Sequence, residues 1–231
     1  MKYETAPSQA SYAAREFTGA EELANALTHG LGAVLAVVAL GLLVGEAISV
    51  GPVAVLAVAI FGGSMVLTYA SSAIHHGSSR DGVKRAFLLC DRCAIHLLIA
   101  GTYTPVALLA LAPGTGIPLI VAIWLLAAAG IALEVTGHCR GSLGRLAWVP
   151  VPLYLGMGWL GLGVAGEALA EALSPPALAW LLAGGVLYTA GVPFYLWRRL
   201  PFGHAVWHLF AVAGSGCHVW MVLGHVLPAA A

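Results

Sequence analysis

The 231-residue chain is 60% hydrophobic and only 9% charged, with a mean hydropathy of +0.92 and a net charge of zero. A soluble domain carries about a quarter charged residues, so this composition excludes one. Apolar runs of about 20 residues, the length that crosses a hydrocarbon core on a helix, recur along the chain.

Seven such runs are expected as spans, at residues 26–45, 52–75, 86–111, 116–136, 146–165, 175–197 and 203–227. They are continuous rather than alternating apolar and polar, which argues against a membrane β-barrel. The expected fold is an all-α membrane protein, a seven-transmembrane helical bundle. Residues 1–17 are expected to form a flexible tail, and residues 18–231 a single transmembrane domain. The start of the chain lacks a basic stretch leading into an apolar core, so no cleavable signal peptide is expected.

Thr18-x-x-Glu21 has the form of a capping box and predicts a helix starting near Gly19. Glu22, Asn25 and His29 then fall on one face of span 1, where they could support or wall a site. Span 2 ends in a Ser71-x-x-x-His75 turn. His76, about 100° further round the helix, is expected at the interface. Span 3 begins with Cys90, Asp91, Arg92 and Cys93, with His96 a turn later. Cys90-x-x-Cys93 has no second pair, so packing is the expected role of these thiols. Arg92 is expected to reach the interface or to pair with Glu22 or Glu134. Glu134 and His138 are expected to pair along span 4. Pro105, Pro152 and Pro193 lie inside spans 3, 5 and 6, where proline can kink a helix and open a cavity. Span 7 opens with His204-x-x-x-His208, and His218 follows on nearly the same face.

Charge distribution predicts orientation. Lys2 and Arg15 precede span 1; Arg80, Lys84 and Arg85 lie between spans 2 and 3; Arg140 and Arg145 lie between 4 and 5; Arg198 and Arg199 lie between 6 and 7. The tenth basic residue, Arg92, starts span 3 on the same side. The other connections hold only acids, Glu46, Glu167 and Glu171. By the positive-inside rule the N-terminus is cytoplasmic and the C-terminus outside, as expected for a multi-pass protein of the inner membrane.

That topology gathers Ser71, His75, Asp91, His204 and His208 at one depth on three helices. Ionisable groups within a span are costly and are retained mainly where they line a site. Residues at i and i+4 share a helix face, so His204 and His208 can bind one ion. With His75 they would leave one position of a tetrahedral zinc site open, the catalytic arrangement. Interhelical hydrogen bonding is the competing role for polar groups in a membrane, and spacing alone leaves both open.

The strings SSAIHHG, DRCAIHLLIAGTYTP, YLGMGWLGL and GHAVWHLFAVAGSGCH, with EELANALTHGLGA at the first span, resemble the bacterial hemolysin III branch of the progestin and adipoQ receptor (PAQR) family. The resemblance covers most of residues 21–225. It implies a seven-helix membrane fold, cytoplasmic at its N-terminus and related to adiponectin receptors and alkaline ceramidases. It also implies Zn²⁺ on His75, His204 and His208, with Asp91 and Ser71 in catalytic roles. One departure is Arg92-Cys93-Ala94-Ile95-His96, where histidine and then tyrosine would be expected at the two ends.

The function so implied is zinc-dependent hydrolysis of a lipid amide or ester, with a membrane lipid as substrate or ligand and a part in lipid homeostasis. No nucleic-acid partner is expected. The alternatives are a pore-forming channel, against which the chain shows no ring of charges, and a lipid-sensing receptor with structural zinc.

Overall fold

A computed structural model describes residues 17–140 and 150–231. Lys2, Arg15, Arg145 and the first residues of the fifth expected span lie outside that range. Among the described residues, seven helices are long and apolar enough to cross a membrane. They are α1 (Gly19–Val50), α2 (Pro52–Gly77), α3 (Asp81–Pro105), α4 (Pro113–Cys139), α5 (Pro150–Ala172), α6 (Pro175–Leu196) and α7 (Gly203–Met221). The helix of α3 continues through a π-helical segment, Val106–Ala110, and that of α7 through another, Val222–Val226. Each expected span has its helix. The chain is an all-α, multi-pass membrane protein.

Consecutive helices pack side by side from α1 to α7, and α7 returns against α1, closing the ring. Leucine and valine cover the outer face of α1, for example Leu23, Leu27, Leu31 and Val34, each more than half exposed. In lipid this surface needs no protein partner. The inner face of α1 carries small or polar residues instead: Glu21, Asn25, His29, Gly32 and Ala36 are all buried. A chain built for water would reverse that pattern.

The helix ends explain how the site end is held. Thr18 caps α1: its Oγ1 accepts from the Glu21 amide, while its own amide donates to Glu21 Oε2 at 2.9 Å. Glu21 Oε1 also accepts from the Phe202 amide at 3.1 Å, tying α1 to the turn before α7. Phe202 holds a left-handed conformation, φ 55°, uncommon for a residue with a Cβ.

Proline has different effects at its three positions. Pro105 lies where α3 widens into its π-helical segment, a recognised response to a lost ladder hydrogen bond. Pro152 lies near the start of the described part of α5, and the backbone around it stays helical. The break in α5 comes instead at Ala165 (φ −136°, ψ 22°), between Gly163 and Gly166. Pro193 is a few residues from the end of α6, and its carbonyl accepts from Trp197.

Between α3, α4 and α5 lies a buried ion pair. Arg92 Nε is 2.7 Å from Glu134 Oε2, and Arg92 Nη2 donates to Glu134 Oε1 at 3.3 Å. The Tyr154 hydroxyl reaches the same Oε1 and the Arg92 carbonyl, each at 3.3 Å. Of the partners expected for Arg92, Glu134 is the one it meets. The expected Glu134–His138 pairing along α4 gives way to this contact, because both carboxylate oxygens are occupied across the helix interface. One turn on, His96 is fully buried against Tyr154, with ring centroids 4.7 Å apart. Its ring overlies Gly130, where any Cβ would collide with it.

Candidate metal centre

α2 ends, and α1, α3 and α7 begin, at one end of the bundle, so their polar residues converge there. A cavity of about 890 Å³ opens among them and runs into the bundle; Glu22, His29, Ser72, His76, Asp91, His204 and His208 all line it.

Three imidazoles form the centre of this group. Ring nitrogens of His76, His204 and His208 all lie within 4.8 Å of one another. The His204 and His208 ring centroids are 4.5 Å apart, as one helical turn dictates, and His76 approaches them at 5.1 and 5.3 Å. Small side-chain rotations would bring these donors to zinc–nitrogen distances of about 2.0–2.1 Å.

The hydrogen bonds around the rings decide which nitrogens remain available. His76 Nδ1 donates to Glu22 Oε2 at 2.6 Å, and Lys84 Nζ donates to Glu22 Oε1 at 2.5 Å. His76 Nε2 is buried without a partner among the described residues. His208 Nδ1 lies 3.2 Å from the Asn25 carbonyl and 3.0 Å from Thr28 Oγ1. The Thr28 hydroxyl already donates to the carbonyls of Ala24 and Asn25, so it can only accept from the ring. His208 therefore carries its proton on Nδ1 and presents the Nε2 lone pair. Carboxylate or carbonyl acceptors behind histidine are the usual supports of metal ligands, because they fix both tautomer and ring orientation. An unpartnered buried imidazole nitrogen and three converging nitrogen donors suit zinc. Replacing Glu22 with Gln is expected to weaken zinc affinity about 10–100-fold, measured by competition with a chelator.

The structure shifts the α2 assignment by one residue. His75, the expected ligand, turns its Nδ1 to the Lys84 carbonyl at 2.8 Å, while its neighbour His76, expected at the interface, is 5% exposed and joins the cluster. The serine moves with it. Ser71 is buried and donates to the Thr68 carbonyl within its own helix. Ser72 lines the cavity, as Asp91 does, and its buried hydroxyl has no hydrogen-bond partner among the described residues. Ser72 and His76 both line the cavity; of the expected pair His75 lines it as well, outside the three-histidine cluster, and Ser71 does not.

The supporting residues differ in how they contribute. Glu22 holds His76 through its carboxylate. Asn25 acts through its backbone carbonyl, while its buried side-chain amide meets no partner among the described residues. The His29 ring stacks on His208, centroids 3.4 Å apart at 13°, and neither of its nitrogens has a hydrogen-bond partner among the described residues. Phe17, expected in the tail, packs on the rings of His204 and His76 at 5.1 and 5.9 Å. The four cysteines are all free thiols.

Fold and site together define a seven-helix membrane protein with a histidine cluster at one end of an internal cavity. Comparison with known sequences places it further: residues 17–219 match the haemolysin-III related family, and the chain belongs to that family. It is 42% identical to hemolysin-3 of Bacillus cereus over 211 residues, 91% of this chain and 94% of that protein. It is 38% identical to a hemolysin-3 homolog of Bacillus subtilis (strain 168) over 208 residues, 90% of this chain and 95% of the other. A more distant likeness, 29% over 141 residues, links it to the human monocyte to macrophage differentiation factor, covering 61% of this chain and 56% of the human one. No solved structure matches the chain significantly.

Proposed function

We propose that this protein is a zinc-dependent membrane hydrolase that cleaves a lipid amide or ester, with His76, His204 and His208 as the metal ligands. The observation that carries the reading is a shared wall: the three imidazoles, Asp91 and Ser72 all line one cavity. The volume lies within the roughly 300–1,000 Å³ of ligand sites, and leucine, isoleucine and valine side chains deeper in the bundle suit an alkyl chain. The N-terminus, and with it the histidine end, is assigned to the cytoplasmic face by the basic loops.

Zinc held there would supply a Lewis acid and make a bound water acidic near neutral pH. The chain's own residues do the rest. Glu22 and the Asn25 carbonyl keep two imidazoles oriented. Asp91 accepts the proton of the attacking water on its carboxylate and passes it to the departing amine or alcohol as the acyl bond breaks. Ser72 lines the same wall, and the helices exclude bulk water from the acyl carbon.

Removing the proton acceptor while leaving the ligands in place tests this directly. Asp91→Asn is expected to retain zinc and to lose about 10²–10⁴-fold in the rate of fatty-acid release from a panel of N-acyl and O-acyl lipids in nanodiscs. Unchanged release in that variant, or no release from any panel lipid by the zinc-loaded wild type, would overturn the hydrolase reading.

The relatives' name favours a second reading, pore formation. It predicts dye leakage from liposomes holding the pure protein, undiminished by His208→Ala. Tight liposomes would dismiss it.

A further inference from the structure

Deeper in the cavity lies a second polar group. Tyr69 of α2, Tyr188 of α6 and His218 of α7 line it. The Tyr69 hydroxyl is 2.5 Å from Ser215 Oγ and donates to the Ala211 carbonyl at 3.0 Å, and the Tyr188 hydroxyl is 2.6 Å from the same Ser215 Oγ. If Tyr69 donates to Ala211, Ser215 donates to Tyr69 and Tyr188 donates to Ser215. The Tyr188 oxygen then ends the chain with both lone pairs unused. His218 is only 6% exposed; its Nε2 is 3.3 Å from the Leu181 carbonyl, which can only accept, so Nε2 carries the proton. That leaves the Nδ1 lone pair buried, with no donor among the described residues. An unsatisfied buried acceptor is destabilising unless a ligand or water donates to it. Gly184 makes the ring's position possible, since a Cβ there would collide with the imidazole.

Two acceptors therefore await a donor in an otherwise apolar region. His218 follows His208 by ten residues, about 15 Å along the helix at 1.5 Å per residue. We propose that His218 and Tyr188 form a second subsite that binds a hydroxyl on the apolar tail of the ligand, about 15 Å from the head held at the histidine cluster. The ligand class is then a hydroxylated long-chain amphiphile. This rests on the reading of the cavity as a lipid site.

The probes are 12-hydroxyoctadecanoate and unsubstituted octadecanoate, titrated into the zinc-loaded protein in nanodiscs. Fluorescence of Trp159 and Trp207, which line the cavity, reports binding. The hydroxy acid is expected to bind about tenfold more tightly, which corresponds to about 1.4 kcal/mol. Tyr188→Phe and His218→Phe should each reduce that preference to about threefold or less, with octadecanoate affinity unchanged. Tyr188→Phe removes only a hydroxyl, so it stands as the test should His218→Phe fail to fold. Equal binding of the two acids by wild type would overturn the subsite alone, leaving water as the partner of Nδ1. A preference that survives in Tyr188→Phe and in a folded His218→Phe would also overturn it. Binding of neither acid would overturn the lipid-site reading and the subsite with it.

Discussion

His76→Ala protein should purify with less than a tenth of the zinc that the wild type carries, while His75→Ala should keep nearly all of it. The two residues are adjacent, of the same type and at the same helix end, so composition and depth cannot separate them. Orientation can. His76 has its Nδ1 held by Glu22 and its Nε2 left toward His204 and His208, whereas His75 is engaged by the Lys84 carbonyl outside the cluster. Removing one of three protein donors leaves a two-imidazole site, and zinc sites that persist through purification have three or four protein ligands. Metal analysis of both variants after dialysis against a weak chelator makes the comparison. Equal zinc in His76→Ala and wild type would remove His76 from the centre.

Glu134→Ala should cost about 3–5 kcal/mol of stability, the largest loss expected of any single change away from the histidines. The magnitude comes from what is left behind rather than from the strength of the pair. Arg92 and Glu134 side chains are 11% and 4% exposed, so truncating the acid removes the ion-pair partner of a largely buried guanidinium. Replacing both members, Arg92→Met with Glu134→Leu, should recover most of that loss, because neither charge then needs a partner. Thermal unfolding in detergent, followed by helical circular dichroism, gives the ordering wild type, double variant, single variant. A single variant as stable as wild type would mean that the charges are hydrated despite their burial.

The same pair revises what Arg92 does to the site. Sequence shows a fixed positive charge beside Asp91; the fold brings Glu134 from the next helix to neutralise it. Such a contact is set by how antiparallel helices are rotated and staggered, which spacing within one helix does not encode. The same limit hid the register of α2. Tandem Ser71-Ser72 and His75-His76 offer two S-x-x-x-H turns of identical spacing, separated by about 100° of helix rotation. Only the neighbours decide between them: Glu22 on α1 takes His76, and Ser72 rather than Ser71 lines the cavity with Asp91.

What was legible follows from strong, local physics. Seven apolar runs must become helices because lipid offers no partner for backbone groups. The Thr18–Glu21 capping box is a contact between residues three apart, so the sequence reveals it. His204 and His208 face the same way because they are one turn apart. Pro152 leaves the described helix of α5 unbroken around it. The break at Ala165, flanked by glycines, had no comparably specific signal.

Zinc K-edge absorption on the wild-type protein, purified without added metal and kept in lipid, measures the centre itself. The spectrum should show about one zinc per chain with three imidazole nitrogens at about 2.0–2.1 Å and one oxygen ligand. Protein that contains no stoichiometric zinc, or zinc ligated mainly by sulfur, would contradict a three-histidine metal centre at this end of the bundle.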